Sequence, residues 1–406
     1  LLYFLNNEIS LKKGTSNSMD KNFKLIQDTT IYLSDRIIPS GWLLINNTSI
    51  EDFGAGNYPG SSNMNETQVI DGKDLNLIPG FIDIHTHGAL NIEAMDHSVE
   101  GLHTMAHFYA SHGVTSFLPT TWSAPIDTLL PVLETIKTLV GQTPNGATIL
   151  GAHLEGPFIN PESAGAQNPD FIFSPTPENF SQLLNLNIIR LITLSPEIEN
   201  AEWLIQTCRQ HNITVSAGHT QADYETMLTG FDLGITQTTH TFNAMTGLHH
   251  RKPGGVGAAL SDDRVSCELI ADTIHVHPAA LKIAYRAKTN RNIILVTDTM
   301  RAAGLPDGEY PVDNRTIIVK NGIARIPEGN LAGSTLTMDR NIKNFMAATG
   351  ESLETILPTA TINPARAIGI ADRKGSIEKR KDADLVLLDS DGTVVLTIVE
   401  GKCIQV

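Results

Sequence analysis

A closed (β/α)8 barrel joined to a small β-sandwich built from both ends of the chain is the fold this sequence predicts. Three observations point to it. From about residue 79 to 370, eight short apolar runs alternate with amphipathic stretches, as in repeated βα units around a parallel sheet. Five of those runs lead into a histidine or an acid, where a parallel barrel gathers its chemistry. On either side of this region the chain reads as short strands joined by polar turns.

Residues 1–18 open with an apolar run, Leu1 to Leu5, that is too short for a signal-peptide core. With Met19 as a natural start, they read as a leader outside the fold. Residues 24–78 supply strands near 26–33, 42–50 and 68–70, with a loop at 56–60. The barrel, residues 79–374, takes strands at 81–84, 114–118, 148–154, 188–193, 214–217, 235–238, 265–270 and 293–296. Helices are expected at 99–112, 126–140, 178–186, 199–211, 222–230, 278–289 and 339–348. Residues 311–326 read as an inserted β-hairpin turning at Asn321-Gly322. The tail, 375–406, returns to strands at 384–388 and 394–399 around Asp391-Gly392. Two β-rich ends most simply pair with each other.

At 406 residues, 41% hydrophobic and 18% charged, the chain can bury a large core. A net charge of −15 disfavours nucleic acid and anionic membranes as partners. An anionic substrate then needs a local cationic pocket. No run approaches the length of a membrane-spanning helix. Cys208, Cys267 and Cys403 are far apart and odd in number, which reads as buried thiols in a reducing cytoplasm.

His85 and His87 close the first barrel strand two residues apart, so their imidazoles leave it on one side. Glu155, His219, His240 and Asp298 end later strands, and in a parallel barrel all these ends meet on one face. Glu155, His219 and His240 compose a three-ligand metal set with an open position, as catalytic sites require. His85 and His87 extend that set or hold a second ion. Asp298 is the candidate proton carrier, taking a proton from water and giving it to a leaving nitrogen. The donor set suits a divalent metal, zinc (Zn2+) foremost, with Fe2+, Co2+ or Mn2+ as alternatives, one or two ions per subunit. Asn243 to Met245 can turn backbone N–H groups to the pocket mouth, and Arg251 offers a planar fork for phosphate.

These motifs together resemble the amidohydrolase superfamily, and within it the N-acetylglucosamine-6-phosphate deacetylase family. The resemblance rests on Pro79-Gly-Phe-Ile-Asp-Ile-His-Thr-His-Gly88, His153-Leu-Glu-Gly-Pro-Phe158, Ser216-Ala-Gly-His-Thr220, Thr239-His-Thr-Phe-Asn-Ala-Met245, Ala271-Asp-Thr-Ile-His275, Val296-Thr-Asp298 and Leu331-Ala-Gly-Ser334. It implies metal-dependent hydrolysis of the acetamide of N-acetylglucosamine 6-phosphate to glucosamine 6-phosphate and acetate, with Glu155, His219 and His240 on the metal and Asp298 as acid and base. It also implies that Ala166, Gln167, Asn243, Ala244, Arg251, Asp272, His275, Leu331, Ala332 and Gly333 meet the sugar phosphate. Some relatives carry a histidine where Gln167 stands, and relatives are often homodimers in which a neighbour completes the phosphate site. Rival readings are a galactosamine epimer as substrate, a cyclic amidase and a non-catalytic scaffold. No lysine at a nearby strand end supports the cyclic amidase, and retention of the ligands and of Asp298 opposes the scaffold.

Overall fold

The structure, a computed structural model, describes residues 23–60, 67–142, 145–312 and 315–404. The expected leader, residues 1–18, lies outside the described residues. Eight barrel strands follow in chain order: β1 (Phe81–Thr86), β2 (Val114–Pro119), β3 (Ala152–Glu155), β4 (Ile189–Leu194), β5 (Thr214–Ala217), β6 (Gln237–Thr238), β7 (Ser266–Leu269) and β8 (Ile293–Leu295). β1 and β2 pair in parallel, as do β3 to β8 in sequence order. The ring closes at both seams. A parallel bridge joins Thr120 to His153, and the Asp298 N–H donates to the His85 carbonyl at 2.9 Å.

The third strand, expected as one run over 148–154, is two. Thr148–Ile149 pairs with β2, while β3 pairs with β4. Gly151 sits between them at φ 146°, where any Cβ would collide with the Ile188 carbonyl oxygen. The bend therefore requires glycine.

All seven expected helices form, from Val99–Ser111 to Met338–Thr349, with ends shifted by a few residues. Among the helices not expected from the sequence, Gly254–Ser261 links β6 to β7. Three glycines in its eight residues depress helix propensity, but nearly every residue is buried, so packing decides. The insertion after β8 is a three-stranded sheet, Gly308–Val312, Arg315–Lys320 and Ile323–Arg325. Its second turn is Asn321-Gly322 as expected, both at positive φ (54° and 72°). Its apolar face packs on Trp122, Ala166 and Ala332, beside the barrel mouth.

The two chain ends form one eight-stranded sheet. They join where Asn76–Pro79 pairs antiparallel with Leu385–Leu388. The sheet folds over a core that mixes both segments: Ile26, Ile31, Leu43 and Leu77 with Leu385, Leu387 and Ile398. That makes the β-sandwich. The strand expected over 42–50 is divided, because the chain reverses at Asn47 (φ 55°) and Ile37–Asn46 pairs with Ser49–Ala55. Cys208 and Cys267 are buried and Cys403 half-buried, all as free thiols. Burial pushes the Cys208 thiol up to about 12, so it is inert. No helix among the described residues is long and apolar enough to cross a membrane.

Candidate metal centre and active site

The strand ends do converge. β1 carries His85 at its end with His87 just beyond, and Glu155 closes β3. His219, His240 and Asp298 follow two or three residues after β5, β6 and β8. These last three have φ values of 48°, 29° and 49°. A left-handed backbone at a non-glycine residue costs on the order of 1–3 kcal/mol. Here it turns each side chain back over the barrel mouth.

The Glu155 carboxylate is the hub. Its Oε1 lies 3.3 Å from His85 Nε2, 3.3 Å from His219 Nε2 and 3.2 Å from His240 Nε2. Its Oε2 lies 3.3 Å from His87 Nε2. Asp298 Oδ1 is 3.2 Å from His87 Nε2 and 3.5 Å from His85 Nε2, and the Nε2 atoms of His219 and His240 are 3.1 Å apart. Two sets of three donors result: Glu155, His219 and His240, and His85, His87 and Asp298.

Both sets fit a divalent cation. Ligand atoms at 2.0–2.2 Å around a tetrahedral ion stand about 3.3–3.6 Å from one another, close to the spacings here. The tautomers agree as well. His219 Nδ1 lies 2.9 Å from the Ser163 carbonyl, so Nδ1 is the donor and Nε2 presents a lone pair. His85 Nδ1 likewise donates to Glu268 at 3.0 Å. His85 Nε2 and Glu155 Oε1 are buried without a hydrogen-bond partner among the described residues, as atoms kept for an ion would be.

The charges point the same way. Burial would raise the Glu155 pKa, but His85, His219 and His240 hold it well below the usual carboxylate range. Asp298 is lowered too, by His85 and then His87, against its burial. Burial opposes charging of His87, yet hydrogen bonds to Asp298 and Glu155 push it up to about 9. The carboxylates stay ionised and draw positive charge inward, a demand that a cation meets directly.

Around this cluster lies a cavity of about 440 Å3, the size of a small-ligand site. Ala166, Asn243, Ala244, His275, Leu331 and Gly333 line it, together with Trp122, which stacks on the His87 ring at 4.0 Å. Four residues expected to meet the substrate do not line it. Gln167 is buried and fully used: it donates to Glu155 Oε2 at 2.7 Å and accepts from the Ser123 N–H at 2.6 Å. It therefore orients the Glu155 carboxylate. Ala332 is wholly buried behind the wall. Asp272 accepts from His275 Nδ1 at 2.6 Å and so aims that ring. Arg251 sits on an exposed loop with its guanidinium 2.9 Å from His250 Nε2. No lysine or arginine lines the cavity among the described residues.

Glu268 and Asp83 escaped the sequence reading. Glu268 is fully buried on β7 and accepts from His85 Nδ1, from Gln237 Nε2 and from the His240 N–H. Asp83, pushed up to about 7 by burial, accepts from the Thr297 hydroxyl and so ties β1 to the end of β8. Each is an acid inside an apolar strand, which is the signal that could have found it. His153, two residues before Glu155, packs behind the site between Thr120 and Thr193. His277 caps the helix Pro278–Lys288, and His103 and His107 lie on the helix Val99–Ser111.

The profile of the amidohydrolase family matches residues 76–404. An N-acetylglucosamine-6-phosphate deacetylase of Bacillus subtilis is 37% identical over 383 residues, covering 93% of this chain and 96% of that one. An N-acetylgalactosamine-6-phosphate deacetylase of Escherichia coli O157:H7 is 38% identical over 328 residues, covering 80% and 87%. The crystal structure of an N-acetylglucosamine-6-phosphate deacetylase from Thermotoga maritima superposes with a TM-score of 0.84 at 32% identity, covering 94% and 99%.

Proposed function

This chain belongs to the amidohydrolase family, and from that premise we propose that it hydrolyses the acetamide of N-acetyl-D-glucosamine 6-phosphate to D-glucosamine 6-phosphate and acetate. The observation that carries the reading is the Glu155 carboxylate, a member of one donor set standing 3.3 Å from His85 and His87 of the other, with Asp298 beside those histidines in a cavity of sugar-phosphate size.

Glu155, His219 and His240 would hold a divalent metal, zinc foremost, and His85 and His87 would extend that set or hold a second. The metal supplies a water of lowered pKa and a Lewis acid for the amide carbonyl. Asp298, ionised beside His85 and His87, accepts the proton that the attacking water loses. It returns that proton to the amide nitrogen as the C–N bond breaks, so the amine leaves neutral and the acyl group takes the hydroxyl. Gln167 and Glu268 hold Glu155 and His85 in register throughout. Glu268→Gln removes the anion that orients His85, and metal affinity is expected to fall about 10–100-fold. Chelator competition on the purified variant measures it.

The phosphate calls for a cation, and among the described residues no lysine or arginine lines the cavity walls. Arg251 lies on the loop that follows the wall residues Asn243 to Met245, and Leu248 on the same loop is 59% exposed. We therefore read the 247–253 loop as the arm with which a second copy closes the phosphate end, giving a homodimer. Arg251→Ala is expected to raise KM for the phosphorylated sugar at least tenfold while leaving the unphosphorylated sugar unchanged. Equal effects would remove Arg251 from the phosphate. Acetate release from both 6-phosphate epimers, with and without chelator, tests the whole reading. The 38% identity to the Escherichia coli relative makes the galactosamine epimer the one competing substrate. Failure to release acetate from either would sink the proposal.

A further inference from the structure

At the opposite end of the barrel lies a larger hollow, about 1150 Å3. Its walls carry five arginines and no carboxylate: Arg190, Arg209, Arg264, Arg291 and Arg366. The chain has 44 acids against 29 bases and only 14 arginines, so this concentration runs against its overall charge. The placement follows from topology. Arg190 is the second residue of β4. Arg209 lies in the last turn of the helix Ala201–Gln210 before β5, Arg264 and Arg291 stand just ahead of β7 and β8, and Arg366 lies on the closing helix Ile362–Ala367. All five therefore ring the amino-terminal mouth, away from Glu155.

Little neutralises them. Arg264 is fixed by Asp262 and Asp232, at 2.5 and 2.6 Å. Among the described residues, Arg209 and Arg190 donate to the carbonyls of Leu233 and Leu150, at 2.9 and 3.4 Å, and pair with no carboxylate. Arg291 and Arg366 have no side-chain acceptor among the described residues, and both are exposed. At the wall between them, Asn363 is buried and spends both amide hydrogens on the carbonyls of Asn290 and Ile293, at 2.6 and 2.8 Å. Its Oδ1 is thereby fixed as an acceptor, and it has no donor among the described residues.

We propose that this hollow binds an organic di- or triphosphate bearing hydroxyl or amino groups, the chemistry shared by nucleotides and nucleotide sugars. Guanidinium forks take phosphate oxygens in pairs. Arginines spread around a mouth of this size suit more than one phosphate. The unfilled Asn363 acceptor asks for an O–H or N–H donor on the same ligand. The site lies at the far end of the barrel from the acetamide, so occupancy there is separate from the hydrolytic site.

Calorimetric titration of the full chain with ATP, UDP-N-acetylglucosamine and inorganic triphosphate tests this. Wild-type protein is expected to bind ATP or the nucleotide sugar at one saturable site per chain, and whichever binds identifies the source. Arg291→Ala/Arg366→Ala, both exposed and outside the hydrolytic machinery, is expected to weaken that binding at least tenfold, with unchanged Tm and acetate release. Binding of inorganic triphosphate alone, no saturable binding, or binding indifferent to the double substitution would overturn the proposal.

Discussion

Asp298→Asn is expected to keep its full metal content and to lose about 10²–10⁴-fold in kcat, the span that a positioned acid and base contributes. The substitution is nearly isosteric. It keeps the polar atom 3.2 Å from His87 and the backbone N–H that seals β8 against His85. What it removes is the ability to accept a proton. In the native site His85 and His87 hold the Asp298 carboxyl ionised despite its burial, so at neutral pH it is ready to receive one. KM should change little, since Asp298 lies among the metal-site side chains of the cavity while the sugar phosphate is proposed to sit against its other walls. Metal analysis and steady-state acetate release on the same preparation make the measurement. Retained turnover would take Asp298 out of its role. Loss of metal along with turnover would recast it as a ligand.

Much of this site was legible because a parallel barrel converts sequence pattern into position. A polar residue that ends an apolar run must sit at a strand's carboxyl end, and all such ends share one rim. That logic located His85, Glu155, His219, His240 and Asp298 before any geometry. It fails where the deciding interaction lies between elements. Gln167 follows a loop with no periodicity, and only the folded chain shows its amide spanning from Ser123 to Glu155. Glu268 sits one residue from the end of a short strand, so pattern alone does not separate a packed acid from an orienting one. Arg251 has the right chemistry for phosphate, but a loop side chain's direction is set by what it docks against, and one chain leaves it in solvent. The helix Gly254–Ser261 is the counterpart in the fold. Local propensity argues against it and burial overrides the propensity.

Glu155→Ala is expected to do more damage than loss of any single histidine. This one carboxylate belongs to one donor set and touches the other, lying within 3.3 Å of His85, His87, His219 and His240. Without it the His219 and His240 rings face each other with no anion between them, and the Gln167 amide loses its acceptor inside the protein. An unsatisfied buried group of that kind costs about 1–3 kcal/mol. Metal content should fall to background and acetate release below detection, with a modest drop in Tm. Chelated wild-type protein separates the two causes. It keeps the carboxylate and lacks only the ion, so added metal should restore its activity in full. The same addition to Glu155→Ala should restore nothing. A variant that still carries a wild-type complement of metal and still releases acetate would show that the ion is held elsewhere, and the arrangement around Glu155 would then have to be structural.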